Sequence, residues 1–173
     1  MNDPLASVRA VLETTAPRWL TLAATLPPDL LRRPPAPGEW SAVDCIRHLN
    51  DAERDVFPVR VRAFLAGRNL TPYDPVAQGS GDVGEAPLAL AEDFARLRQE
   101  SLVLLAQVQP ADLKREVIHG EYGPVQLAGL LQQWAAHDLM HTVQAEQALM
   151  QPFAAGSGPW RPGFAAHDVT RDA

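Results

Sequence analysis

A chain of 173 residues that is 46% hydrophobic, with a mean hydropathy of −0.14, has material for one globular domain and too much apolar content for a disordered one. A formal net charge of −6, with basic and acidic residues interspersed, leaves no concentrated cationic surface for a phosphate backbone, so nucleic acid is not an expected partner. The single cysteine, Cys45, excludes intramolecular disulfides and thiolate clusters and reads as a small buried hydrophobe. No run reaches about 18 apolar residues, and Met1–Ala10 lacks the basic start and apolar run of a secretory signal, so no membrane contact and a cytoplasmic location are expected.

Asn2 or Asp3 can cap a first helix with Pro4 at its first position, and Leu5, Val8, Val11, Leu12, Trp19, Leu22 and Leu26 give it an apolar stripe that Pro17 could kink. The prolines at 27, 28, 34, 35 and 37 predict a stiff, extended connection from Pro27 to Gly38. Ser41, with Asp44 three residues on, predicts a capped second helix running to about Gly67 and bent at Pro58. Asn69 to Ala86, rich in Gly, Pro, Asp and Ser, reads as a long loop. A third helix is expected from about Pro87 to Gln107, with Leu90, Phe94, Leu97, Ser101, Leu104 and Leu105 facing inward. Lys114 to Val125 alternates as a short extended excursion with a turn at Gly120 or Gly123, and a fourth helix follows from about Val125 to Met150. Four long helices predict an all-α four-helix bundle, one domain over residues 1–173 with its core at about 3–150 and an irregular tail from Gln151 to Ala173 draped over it.

The chemistry-bearing feature lies on the fourth helix. His137 and His141 are four residues apart, which rotates the second by about 40° and raises it by about 6 Å, so both imidazoles share a face. They fall within or beside the stripe of Leu127, Leu130, Leu131, Trp134, Ala145 and Ala148, and ring nitrogens there need partners. Such a pair fits two core histidines hydrogen-bonded to backbone or carboxylate as well as it fits a metal ion. A third imidazole tips the balance: His48, among Cys45, Ala52 and Val59 on the second helix, could reach the pair and complete a site of three nitrogens and a water.

The motifs Pro-Gly-Glu-Trp-Ser at 37–41, Cys-Ile-Arg-His-Leu-Asn-Asp-Ala-Glu at 45–53, Tyr-Gly-Pro-Val at 122–125, His-Asp-Leu-Met-His-Thr-Val-Gln at 137–144 and Gly-Pro-Trp at 158–160 resemble those of the DinB/YfiT-like superfamily of metal-dependent enzymes. The resemblance covers nearly the whole chain. It implies an up-down-down-up four-helix bundle, often a homodimer, with a divalent ion held by His48, His137 and His141; zinc is the first expectation, with nickel, manganese or iron as alternatives. Some relatives are thiol-dependent transferases that use bacillithiol, which implies a small-molecule substrate and a low-molecular-weight thiol as co-substrate. A metal-dependent hydrolase, or a stress-associated binding protein with a structural metal, are the alternatives.

Around the histidines, Asp51, Glu53, Asp138 and Gln144 could each orient an imidazole or shuttle a proton, with Glu53, Asp138 and Gln144 as the candidate catalytic set. Glu53 lies on the stripe of Ile46 and Phe57, where it could equally partner a buried Arg or Trp NH, and Asp138 could simply join helices by a hydrogen bond. Arg47, Arg54, Arg60 and Arg62 read either as an anion site or as a solvated face. His119 and His167 read as surface groups, and Trp40 as a pocket wall or a helix staple.

Overall fold

Buried residues recur along the long helices at alternating steps of three and four, the repeat that packs one helix against another in a bundle. The computed structural model describes residues 4–71 and 84–169. Helix α1 (Pro4–Thr25) buries Leu5, Val8, Leu12, Thr15 and Trp19. After a one-turn helix, α2 (Pro28–Leu31), comes α3 (Ala42–Asp51), a π-helical turn (Ala52–Val56) and α4 (Phe57–Leu65), which together make the second long helix. α5 (Pro87–Leu105) buries Ala91, Phe94, Arg98, Ser101 and Leu105, and α6 (Leu127–Gly156) buries Leu127, Leu131, Trp134, Asp138, His141 and Ala145.

The two apolar clusters give the helix directions. One gathers the start of α1 (Leu5, Val8, Leu12), the end of α4 (Val61, Phe64), the end of α5 (Leu104, Leu105) and the start of α6 (Leu127, Leu131). The other gathers the end of α1 (Trp19), the start of α3 (Val43, Ile46), the start of α5 (Leu90, Phe94) and the end of α6 (Leu149). The first and fourth long helices therefore run one way and the second and third the other, an up-down-down-up bundle. Helix α1 packs on α5 and α6, and α3 packs on the same two, so the second and fourth helices are neighbours.

Local sequence explains the elements. Ser41 caps α3 as a full capping box: its hydroxyl accepts from the Asp44 N–H, and the Asp44 carboxylate accepts from the Ser41 N–H, an arrangement worth about 1 kcal/mol. The disturbance expected at Pro58 takes the form of a wider turn rather than a break. Phe57 N–H donates to Ala52 O, five residues back, just before a proline that has no N–H to offer the α-helical ladder. Pro17 is accommodated inside an unbroken α1. Gly129 stands inside α6, where glycine costs about 1 kcal/mol relative to alanine.

Three expectations need correction. The Pro27–Gly38 connection is not extended throughout, because Pro28 occupies the first position of a helical turn, where a missing N–H costs nothing. The fourth helix does not end near Met150. It runs through Pro152 to Gly156, and a 3-10 helix (Gly158–His167) follows, so the tail is not irregular from Gln151 onward. Packing holds it there: Ala154 is buried, and the Gln151 side chain donates to Gln147 O and His167 O. The extended excursion is an antiparallel hairpin, β1 (Glu116–His119) with β2 (Gly123–Gln126), whose turn spans residues 120–122 and enters β2 at Gly123 with φ +71°. Of the long loop, Leu70 bridges to His119 beside this hairpin, and residues 72–83 lie outside the described residues. Among the described residues no helix is long and apolar enough to cross a membrane.

Candidate metal centre

Because α3 and α6 are neighbours, His48 faces His137 and His141 across the helix interface. Each imidazole offers a ligand atom, and these atoms all lie within 4.8 Å of one another. The Nε2 atoms of His48 and His137 are 3.1 Å apart. A tetrahedral ion with nitrogens at about 2.0–2.1 Å would separate them by roughly 3.3–3.4 Å, so the pair stands near ligand spacing. His141 Nδ1 lies 2.8 Å from Gln144 Oε1. The amide oxygen can only accept, which puts the proton on Nδ1 and leaves Nε2 with its lone pair. Nδ1 of His137 is buried without a hydrogen-bond partner. Three neutral nitrogen donors, one of them oriented by a side chain behind it, fit a divalent ion.

Aromatic rings hold the imidazoles in place. Trp40 stacks on His141 (5.6 Å between centroids, 19° between planes) and tilts against His48 at 5.1 Å. With the indole 38% exposed, Trp40 forms the outer wall of the site. Phe57 meets His137 edge-on at 5.2 Å and stacks on Trp134 at 5.1 Å. The π-turn makes this possible. In a regular α-helix the nine residues from His48 to Phe57 would put them about 180° apart, and one extra residue in the turn reduces this to about 80°.

Burial, followed by the neighbouring His141 and His48, lowers the His137 pKa to about 3; burial also lowers that of His141, against the pull of Gln144 and Asp138. Imidazoles held neutral need give up no proton to take a metal. They also set a pH dependence. His137 is neutral in the fold while its unfolded counterpart titrates near 6.5, so its contribution to stability is complete above about pH 6.5 and is lost as pH falls toward about 3. Thermal melts of metal-free protein should show declining stability across that window, with a shallower decline for His137→Leu. Parallel slopes for the two proteins would sink the assignment.

Of the candidate catalytic residues, only Gln144 touches a histidine. Glu53 and Asp138 turn instead to Arg98, and all three are at most 3% exposed. Arg98 donates to Glu53 Oε1 (2.6 Å), to both oxygens of Asp138 (2.7 and 2.9 Å), to Thr15 Oγ1 (2.7 Å) and to Leu12 O (2.9 Å). Thr15 donates to Asp138, Ser101 to Glu53, and Trp134 Nε1 to Glu53. Burial pushes the Glu53 carboxyl up, opposed by Arg98. Thr15, Glu53, Arg98 and Asp138 come one from each long helix and form a polar layer between the two apolar clusters. Both readings of Glu53 as a buried partner, for an Arg and for a Trp NH, are realised together.

Sequence reasoning overlooked Arg98 and Thr15. The signal was present: Arg98 stands on the stripe Ala91, Phe94, Arg98, Ser101, Leu105, where a charge must find a buried partner.

The other candidates lie elsewhere. Asp51 pairs with Arg54, which also reaches Asp93, and Arg47 pairs with Asp44. His119 stacks on Tyr122 in the hairpin, and His167 is exposed. Cys45 is fully buried, and its thiol is pushed up to about 12, chiefly by burial, so it is no nucleophile.

The fold has a relative of known structure. YfiT from Bacillus subtilis, described as a probable metal-dependent hydrolase with an unusual four-helix bundle topology, superposes with a TM-score of 0.74 at 18% sequence identity, over 86% of this chain and 87% of that one. No curated protein matches the chain. The sequence pattern of the DinB superfamily matches residues 12–145, most of the bundle and all three histidines, and the chain belongs to that superfamily.

Proposed function

We propose that the protein is a divalent-metal-dependent enzyme, with His48, His137 and His141 holding the ion, zinc in the first instance. In this reading it transfers a low-molecular-weight thiol of the bacillithiol type to a small electrophile. The observation that carries the reading is the cluster itself: three imidazoles with ligand atoms within 4.8 Å, two of them, His137 and His141, favoured neutral by burial, and all walled by a half-exposed indole. With three neutral ligands a bound ion would keep its positive charge and an open position, favouring the deprotonated form of a thiol or water there.

The chain's own residues supply orientation. Gln144 fixes the His141 tautomer, Phe57 and Trp40 fix ring positions, and Trp40 excludes water from one side. Glu53 and Asp138 are engaged by Arg98, so neither stands ready as a proton carrier at the histidines. That favours transfer over hydrolysis. A thiol that ionises near 8.5 needs little help to become a nucleophile, whereas an ester or amide needs a proton delivered to its leaving group. In the transfer a C–S bond forms as the leaving group departs from carbon, and the thiol proton passes to solvent. Hydrolysis is the second reading, favoured by the description of YfiT. A homodimer is the assembly this reading carries.

Zinc-loaded protein should consume bacillithiol with monobromobimane faster than the uncatalysed reaction, and a chelator should remove the excess rate. Turnover of 4-nitrophenyl acetate without thiol would move the assignment to a hydrolase. A metal effect on melting with neither reaction would make the centre structural.

A further inference from the structure

The two helices that carry the histidines also wall a cavity one to two turns away. On the second helix, Phe57 touches His137, and Arg60 and Phe64, three and seven residues further on, line a space of about 200 Å³. On α6 the same space is lined by Leu130 and Gln133, seven and four residues before His137 and so on the histidine's face of the helix. At 1.5 Å per residue, Gln133 stands about 6 Å along the axis from His137. Leu70 and Val125, from beside and within the hairpin, complete the apolar wall.

Gly129 lines this space as well. A Cβ added there would meet nothing within 4 Å, and its φ is not in the left-handed region. Neither packing nor backbone geometry requires a glycine in this helix, which a larger residue would strengthen. What the missing side chain does is leave the cavity open.

We propose that this cavity receives the apolar part of the substrate, an aryl or branched-alkyl group, while its reacting carbon lies at the histidines. Cavities of about 150 Å³ lined by apolar side chains admit benzene, so the present volume takes a six-membered ring with a small substituent. Gln133, between the cavity and His137, supplies an amide for the polar neck of such a molecule. The substrate class is a small electrophile in which an aryl or branched-alkyl group is joined through one polar carbon to the leaving group. This assignment rests on the histidines being the reacting end, as proposed above.

Fluorine NMR with 4-fluorobenzyl alcohol as the probe tests it, using the zinc-loaded protein beside Gly129→Ala and Gly129→Phe. Wild type should bind the probe saturably, Gly129→Ala within about twofold of it, and Gly129→Phe at least about tenfold more weakly. Neither variant should melt below wild type, which separates filling the cavity from unfolding. Manganese in place of zinc should broaden the bound fluorine signal. No saturable binding, equal binding by Gly129→Phe, or a signal indifferent to manganese would each overturn the proposal. Failure of the metal centre reads out separately, as absence of bound zinc by elemental analysis, and the cavity assignment is then decided by the Gly129→Phe comparison on metal-free protein.

Discussion

Alanine in place of His48, His137 or His141, one at a time, should reduce a bound ion from about one per chain to a trace. A site of this size binds through the combined pull of its ligands, and structural zinc sites with four of them reach about 10–16 kcal/mol. Loss of one ligand of three therefore weakens affinity by on the order of a hundredfold or more. Gln144→Ala should fall between these variants and wild type, about 10–100-fold weaker, because it frees the His141 ring without removing a donor. Elemental mass spectrometry on untagged protein, followed by competition with a chromophoric chelator, measures both. Wild type that stays metal-free after incubation with zinc, nickel and manganese would end the metal reading. Variants that keep the ion would end the assignment of these ligands.

Arg98→Met should be among the most damaging single changes in the bundle. It leaves the carboxylates of Glu53 and Asp138 buried beside each other with their cation gone, and breaking a buried ion pair from one side costs about 3–5 kcal/mol. With a urea slope near 2 kcal/mol/M, that moves the unfolding midpoint down by roughly 1.5–2.5 M. Adding Glu53→Gln and Asp138→Asn should recover much of the loss. The amides remove both charges while leaving oxygens to accept from Trp134, Ser101 and Thr15. A midpoint shift below about 0.5 M for Arg98→Met alone would show that the layer is not held by its charges.

The sequence made the bundle legible wherever local chemistry and the apolar stripe agreed. Ser41 with Asp44 marked the start of the second helix, and Gly120 and Gly123, either of which could have been the turn, bracket the hairpin turn between them. Helix α6 outran its expected end because packing overrides local preference. Pro152 is a poor helix residue, yet the turn around it is held by buried Ala154 and by the two bonds of the Gln151 side chain. At the site, the i,i+4 pair was legible from spacing, and Gln144 could be named because it lies seven residues beyond His137 on the same face, although the histidine it touches is His141. The meeting of His48 with that pair depends on which helices are neighbours, which no stretch of one helix encodes; the sequence offered His48 as a third ligand that an adjacent helix could bring, and the resemblance implied the same set. The polar layer was hidden for a similar reason. Thr15, Glu53, Arg98 and Asp138 belong together only once four helices are set at one height.

The turn at Ala52–Val56 carries one residue more than an α-helix would use, and this splits the second long helix into two halves of different phase. The upstream half presents His48 to α6, and the downstream half presents Phe57, Arg60 and Phe64. An insertion or deletion of a single residue there would turn the downstream half by about 100° while the histidines stayed where they are. The centre and the wall beside it are thus separable in inheritance: relatives could exchange one set of cavity residues for another by a one-residue length change, without altering a ligand.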